Sequence, residues 1–116
     1  MGDPGELLFS YGTLDVLDLQ RDTFGRVLHG EPDMLPGYAT EVAERLDPEI
    51  VERLGPIPQR LLRMTGDPRD KVTGQVLHLS DLELEAADEL VSPLFHRLAV
   101  TLASGRLAWV YLAAQP

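Results

Sequence analysis

Apolar positions along the chain fall into short blocks whose period changes from one block to the next. Glu6 to Tyr11 is short, largely apolar and closed by Gly12, the pattern of a buried strand. After it, Val16, Leu19, Thr23, Phe24, Val27 and Leu28 recur near one helical face. That spacing predicts a helix over 16–28, with Asp15 as its N-cap and Gly25 weakening its middle. Residues 30–38, GEPDMLPGY, carry two prolines and two glycines and read as turn chemistry. Residues 39–46 alternate weakly, as a strand would. Residues 47–54 suit one or two helical turns, ended by Gly55-Pro56. Residues 60–64 form a short apolar strand pattern, and TGDPRD at 65–70 reads as a loop.

The second half is more regular. Over 72–79, Val72, Gly74, Val76 and His78 fall on one side of a strand and Thr73, Gln75, Leu77 and Leu79 on the other. Ser80-Asp81-Leu82-Glu83 is a capping box, in which the serine accepts from the helix and the glutamate reaches back. The helix it opens should run to about Val91, where Ser92-Pro93 stops it. On that helix Leu84, Ala87 and Val91 share an apolar face, while Glu83, Glu85, Asp88 and Glu89 read as the solvated face. Residues 97–102 and 106–113 form two strands turned by Ala103-Ser104-Gly105, the best hairpin in the chain. Strand, helix, irregular middle, strand, helix and hairpin in that order predict an α+β fold with a small mixed sheet.

Composition narrows the function. A chain of 116 residues, 44% hydrophobic, is expected to form one domain, 1–116, with a core large enough to stand without staples. It has no cysteine, which removes disulfides and thiolate metal ligands. The formal charge of −9 disfavours nucleic acid and anionic membranes, since binding to either draws on Lys and Arg. The opening MGDPGE does not resemble a signal peptide, and no apolar run reaches the roughly 18 residues of a membrane helix, so the expected compartment is the cytoplasm.

Chemistry-bearing residues are sparse. A strand that ends in Gly12 and opens onto a helix exposes backbone N–H groups able to hold an anion such as a carboxylate, and the glycine lets that anion approach. A plain connection has the same pattern. His29, His78 and His96 make no helical pair, so their spacing supports no metal site. Ser10 lacks the context of a hydrolase elbow. Asp67 and Asp70 flank Pro68, where turn duty accounts for them. Trp109 and Tyr111 share one face of the last strand, either as pocket wall or as core.

Six ordered stretches resemble the gamma-glutamylcyclotransferase-like family: LFSYGTL at 8–14, TFGR at 23–26, LPGY at 35–38, TGDP at 65–68, VTGQVLHLS at 72–80 and FHRLAVTLASGRLAWVYLA at 95–113. The match covers nearly the whole chain, with a weak middle over about 40–60. The resemblance implies a small mixed β-barrel with short flanking helices. It implies cyclisation of a gamma-glutamyl group onto its own amine, releasing 5-oxoproline, with no metal or cofactor. Tyr11, Gly12, Thr13 and Leu14 would then line the site of the substrate carboxylate, with Phe95, Trp109 and Tyr111 as candidate pocket wall.

The same resemblance exposes a gap. The family's proton-transferring glutamate sits in a stretch like Leu-Asp-x-Tyr-Glu, shortly before Tyr-x-Arg. Asp88 and Arg97 anchor the corresponding stretch, and Val91 then stands where the glutamate is expected, with Leu90 and Phe95 replacing aromatic residues. Valine carries no proton, and removing such a group typically slows a reaction by a hundred- to ten-thousand-fold, on the order of 3–5 kcal/mol in barrier. Glu89 is the nearest substitute, but two residues turn a helix through about 200° and so point it away from the Val91 face. The resulting expectation is a pocket that binds a small carboxylate or gamma-glutamyl compound with impaired turnover. The alternatives are an active cyclotransferase working through Glu89 or by another reaction, and a protein-interaction module using the acidic surface.

Overall fold

Leu8, Phe9 and Ser10 lose nearly all contact with solvent because their strand, β1 (Glu6–Ser10), lies in the middle of a five-stranded sheet. The structure, a computed structural model, describes residues 5–12, 17–42, 48, 52, 60–92 and 95–113. Its other elements are α1 (Leu17–Phe24), β2 (His29–Pro36), β3 (Tyr38–Val42), β4 (Arg60–Met64), β5 (Lys71–Leu79), α2 (Asp81–Val91), β6 (Phe95–Thr101) and β7 (Leu107–Ala113). The main sheet runs β2-β5-β1-β7-β6, and β3 pairs with β4 in a separate hairpin. All pairings are antiparallel except β1 with β7, which meet in parallel at Leu8 and Trp109. The α+β class and the mixed sheet are those expected from the chain's periodicity.

The sheet is buried on both faces. Phe9, Leu35, Val72, Val76, Val100, Leu102, Ala108 and Val110 close one core with Tyr38 and Leu62 of the β3–β4 hairpin. Leu8, Leu77, Leu79 and Tyr111 close the other with Leu84, Ala87 and Val91 of α2, joined at its margin by Leu19 and Phe24 of α1. Alternation along the strands sends successive side chains to opposite cores. This accounts for β5 carrying buried residues on both of its sides.

The ladder does not close into a barrel: β2 and β6 are the two edges. A loop contact completes the curl instead. The turn between β6 and β7 reaches β2, where Ala103 N–H donates to Met34 O at 2.8 Å and Ser104 Oγ to Asp33 Oδ2 at 2.6 Å. Arg106 adds Nη2 to Asp33 Oδ2 at 3.0 Å. One backbone hydrogen bond and several side-chain bonds, not a strand pair, bridge the sheet ends that right-handed twist brings together.

Two sequence expectations need correction. Residues 30–38 are not a run of turns; most of them belong to the eight-residue strand β2, in register with β5 from His29–His78 to Pro36–Lys71. An edge strand tolerates proline where its nitrogen faces outward, and Pro32 and Pro36 have the same parity along it. Helix α1 is also shorter than 16–28. Gly25 ends it at φ +75°, with its N–H on Arg21 O at 2.9 Å, a left-handed cap rather than a weak middle. Val27 is therefore exposed, and Leu28 is buried beyond the helix with its N–H on the buried Gln20 Oε1 at 2.8 Å. Of the helix proposed over 47–54 only residues 48 and 52 are described, both with helical backbone, and the Asp15 cap lies outside the described residues. Among the described residues no helix is long and apolar enough to cross a membrane.

Candidate functional site

The turn after β1 is positioned by two neighbours. Tyr11 donates its hydroxyl to Tyr111 O at 2.6 Å, which ties the end of β1 to β7. Burial pushes the Tyr11 phenol well above its ordinary range, so it stays a protonated donor at any working pH. The second neighbour is Gly74 of β5. A Cβ there would collide with the backbone oxygen of Ser10 and come within 2.8 Å of the Phe9 ring. The last residues of β1 thus lie directly over a glycine of the adjacent strand. Sequence reading placed Gly74 on a strand face without giving it this role, although an isolated glycine inside an alternating strand signals close backbone approach. Tyr11 and Gly12 are half-buried, while Thr13 and Leu14 lie outside the described residues.

Helix α2 carries Val91 and the acids around it. Its N-terminus is the capping box read from sequence, with Glu83 N–H on Ser80 Oγ at 3.2 Å and Ser80 N–H on Glu83 Oε1 at 2.9 Å. Leu84, Ala87 and Val91 point inward as expected, and Val91 is 6% exposed within the helix-side core. Glu85 and Glu89 are exposed. Glu83 and Asp88, expected on the wet face, are instead engaged. Glu83 takes a bidentate pair from Arg26 at 2.7 and 2.8 Å, whose hydrogen bonding holds its carboxyl below the ordinary range.

Asp88 Oδ1 accepts the Tyr111 hydroxyl at 2.7 Å and pairs with Arg97 Nε at 2.8 Å. Desolvation, with the Asp88 carboxylate beside it, drives the Tyr111 phenol far upward, so it too remains a donor. Arg97 lies 4.4 Å from the centre of the Trp109 ring, a cation–π contact. Asp88, Ser92, Phe95, His96, Arg97 and Trp109 line an open cleft of about 350 Å³. Of the candidate wall residues, Phe95 and Trp109 face this cleft, while Tyr111 is core with its hydroxyl turned to the cleft's Asp88.

A further group was invisible to linear spacing. The β2–β5 register sets His29 opposite His78, and Glu31 lies two residues on along β2. Their ligating atoms all fall within 4.8 Å of one another. Cross-strand contact, not helical spacing, assembles them.

No family model matches the chain, and no curated protein matches it. Solved structures do. One is a solution structure of an Arabidopsis thaliana protein, 22% identical, with a TM-score of 0.73 over 97% of this chain and 65% of that one. A second Arabidopsis thaliana solution structure is 20% identical at a TM-score of 0.70, covering 96% of this chain and 72% of that one. A third is a gamma-glutamyl cyclotransferase, 16% identical, with a TM-score of 0.69 over 95% of this chain and 67% of that one. The chain thus spans less than two thirds of the first of these neighbours. The α+β architecture is the gamma-glutamylcyclotransferase-like fold.

Proposed function

We propose that this chain is a gamma-glutamylcyclotransferase-like protein that binds a small carboxylate or gamma-glutamyl compound at Tyr11, Gly12, Thr13 and Leu14 and turns it over poorly. The observation that carries this reading is the buried Val91, on an apolar helix face at the position where the family resemblance expects a glutamate. The acids of α2 do not replace it: Glu89 is exposed, Glu83 is held by Arg26, and Asp88 is held by Tyr111 and Arg97. Cyclisation asks a base to take the ammonium proton before nitrogen attacks the gamma-carbonyl, and in this reading each of these groups is turned to solvent or already engaged. In this reading the protein acts in the cytoplasm, without metal or cofactor in the cyclisation and without nucleic acid or membrane as partner.

The test is 5-oxoproline release from a panel of gamma-glutamyl amino acids and amines, comparing wild type with Val91→Glu. Val91→Gln controls for burying a polar group at this site. Wild type is expected at background. Val91→Glu, but not Val91→Gln, is expected to gain on the order of a hundredfold. Release by wild type would overturn the impairment. Silence of all three, in folded protein, would leave the fold without the chemistry.

The cleft favours one second reading, an active enzyme, because it puts the Asp88 carboxylate rather than Glu89 beside open space. This reading requires turnover by wild type that Asp88→Asn abolishes and Glu89→Gln does not.

A further inference from the structure

We propose that His29, Glu31 and His78 form a binding site for a divalent transition ion of the Zn2+ class, bridging β2 and β5. Three observations carry the proposal. The donors are two imidazoles and one carboxylate, a set suited to a borderline ion, and their ligating atoms already lie within 4.8 Å of one another. The sheet register holds two of them in place. His29 and His78 are directly opposed across the antiparallel pair, and Glu31 shares their face because side chains alternate along a strand. The two imidazole rings lie 5.2 Å apart at 43°, so both nitrogens can turn toward a common point above the strands.

The third observation is the support around the carboxylate. Glu31 Oε1 lies 2.5 Å from His78 Nε2 and 3.1 Å from Arg106 Nη1. Arg106 comes from the β6–β7 turn and is itself anchored on Asp33 Oδ2 at 3.0 Å. The carboxylate is thereby oriented by a neighbour that is not a ligand, the usual arrangement behind a metal-binding carboxylate. An ion enters by displacing the direct contact between His78 Nε2 and Glu31 Oε1. His29, which is exposed, then swings in as third ligand, and solvent supplies the fourth. The guanidinium repels the ion, so this site is expected to be weaker than a closed structural zinc site.

The experiment is calorimetric titration of EDTA-treated, desalted protein with ZnCl2, run on wild type, His29→Gln, Glu31→Gln and His78→Gln, each checked for native circular dichroism. Wild type is expected to take up one equivalent and to melt at higher temperature as Zn2+ rises. Each variant is expected to bind roughly tenfold more weakly or worse. Titration with CoCl2 adds a spectroscopic readout: a visible absorption band in wild type that disappears in His29→Gln, whose exposed edge position makes it the variant least prone to misfolding. The proposal is overturned if wild type binds no stoichiometric Zn2+. It is equally overturned if His29→Gln binds as wild type does, since binding would then belong to a His78–Glu31 pair or to the acidic surface at large.

Discussion

At the scale of single residues, Gly74 and Val91 act in opposite ways, one beside β1 and the other on α2. Gly74 acts by having no side chain: the backbone oxygen of Ser10 occupies the place a Cβ would take. Because that neighbour is backbone, it cannot swing aside as a flexible side chain would. Gly74→Ala is therefore expected to cost ~3 kcal/mol and to lower Tm by about 10 °C in a melt followed by circular dichroism. A change of only one or two degrees would mean that the β1 turn can lift away from β5. Val91 acts through what it lacks chemically. Its burial beside Leu84 and Ala87 stabilises α2 against the sheet, and its side chain has no proton to give or take.

At the scale of elements, α2 is the best-specified segment of the molecule. Ser80 and Glu83 satisfy each other's backbone N–H groups, and Glu83 also receives Arg26 from beyond the end of α1. One glutamate thus caps its own helix and links it to the residues following another. Ser80→Ala removes the cap acceptor and is expected to cost ~1 kcal/mol in chemical denaturation, with an unchanged m-value. A loss near zero would show that Arg26–Glu83 alone fixes the helix start. Strand β2 is specified differently. Its prolines and glycines do not by themselves mark a paired strand; pairing with β5 along eight register positions supplies the hydrogen bonds that its composition does not predict.

At the scale of the whole molecule, the acidic excess is partly organised into held carboxylates. Hydrogen bonds from His78 and Arg106 lower Glu31, and those from Arg26 lower Glu83. Burial alone would raise Asp33, but bonds from Ser104, the Met34 N–H and Arg106 bring it below its ordinary value. Arg69 lowers Asp67. Folding therefore favours the charged form of each. Their contribution is fully present above the ordinary carboxylate values of 4.5 for Glu and 3.8 for Asp, and it is lost as pH falls through the depressed folded values. The net charge of −9 at pH 7 acts in the other direction, since its repulsion eases on the way down to the pI of 4.6. Tm measured by calorimetry should be level or slightly rising from pH 7 to about 5 and fall steeply below about 4. In Arg26→Ala the acid limb should be shallower, because Glu83 then titrates closer to its unfolded value. A wild-type profile without an acid limb would contradict these pairings.

Elements whose signals are local could be read from the chain alone. The capping box and the 3,4-spaced apolar face located α2 from Asp81 to Val91, alternation located β5, and Gly105 marked the final hairpin, because caps, periodicity and turns act over a few residues. The sequence also placed Val91 on the inner face of that helix. What depends on residues far apart in the chain came from the folded arrangement. It made residues 29–36 a strand through β5, turned Asp88 from surface acid into the partner of Tyr111 and Arg97, and set Ser10 over Gly74. It also brought His29 against His78 across 49 positions, the difference of their numbers. Each of these rests on strand register and packing, which contact between elements sets and linear spacing does not encode.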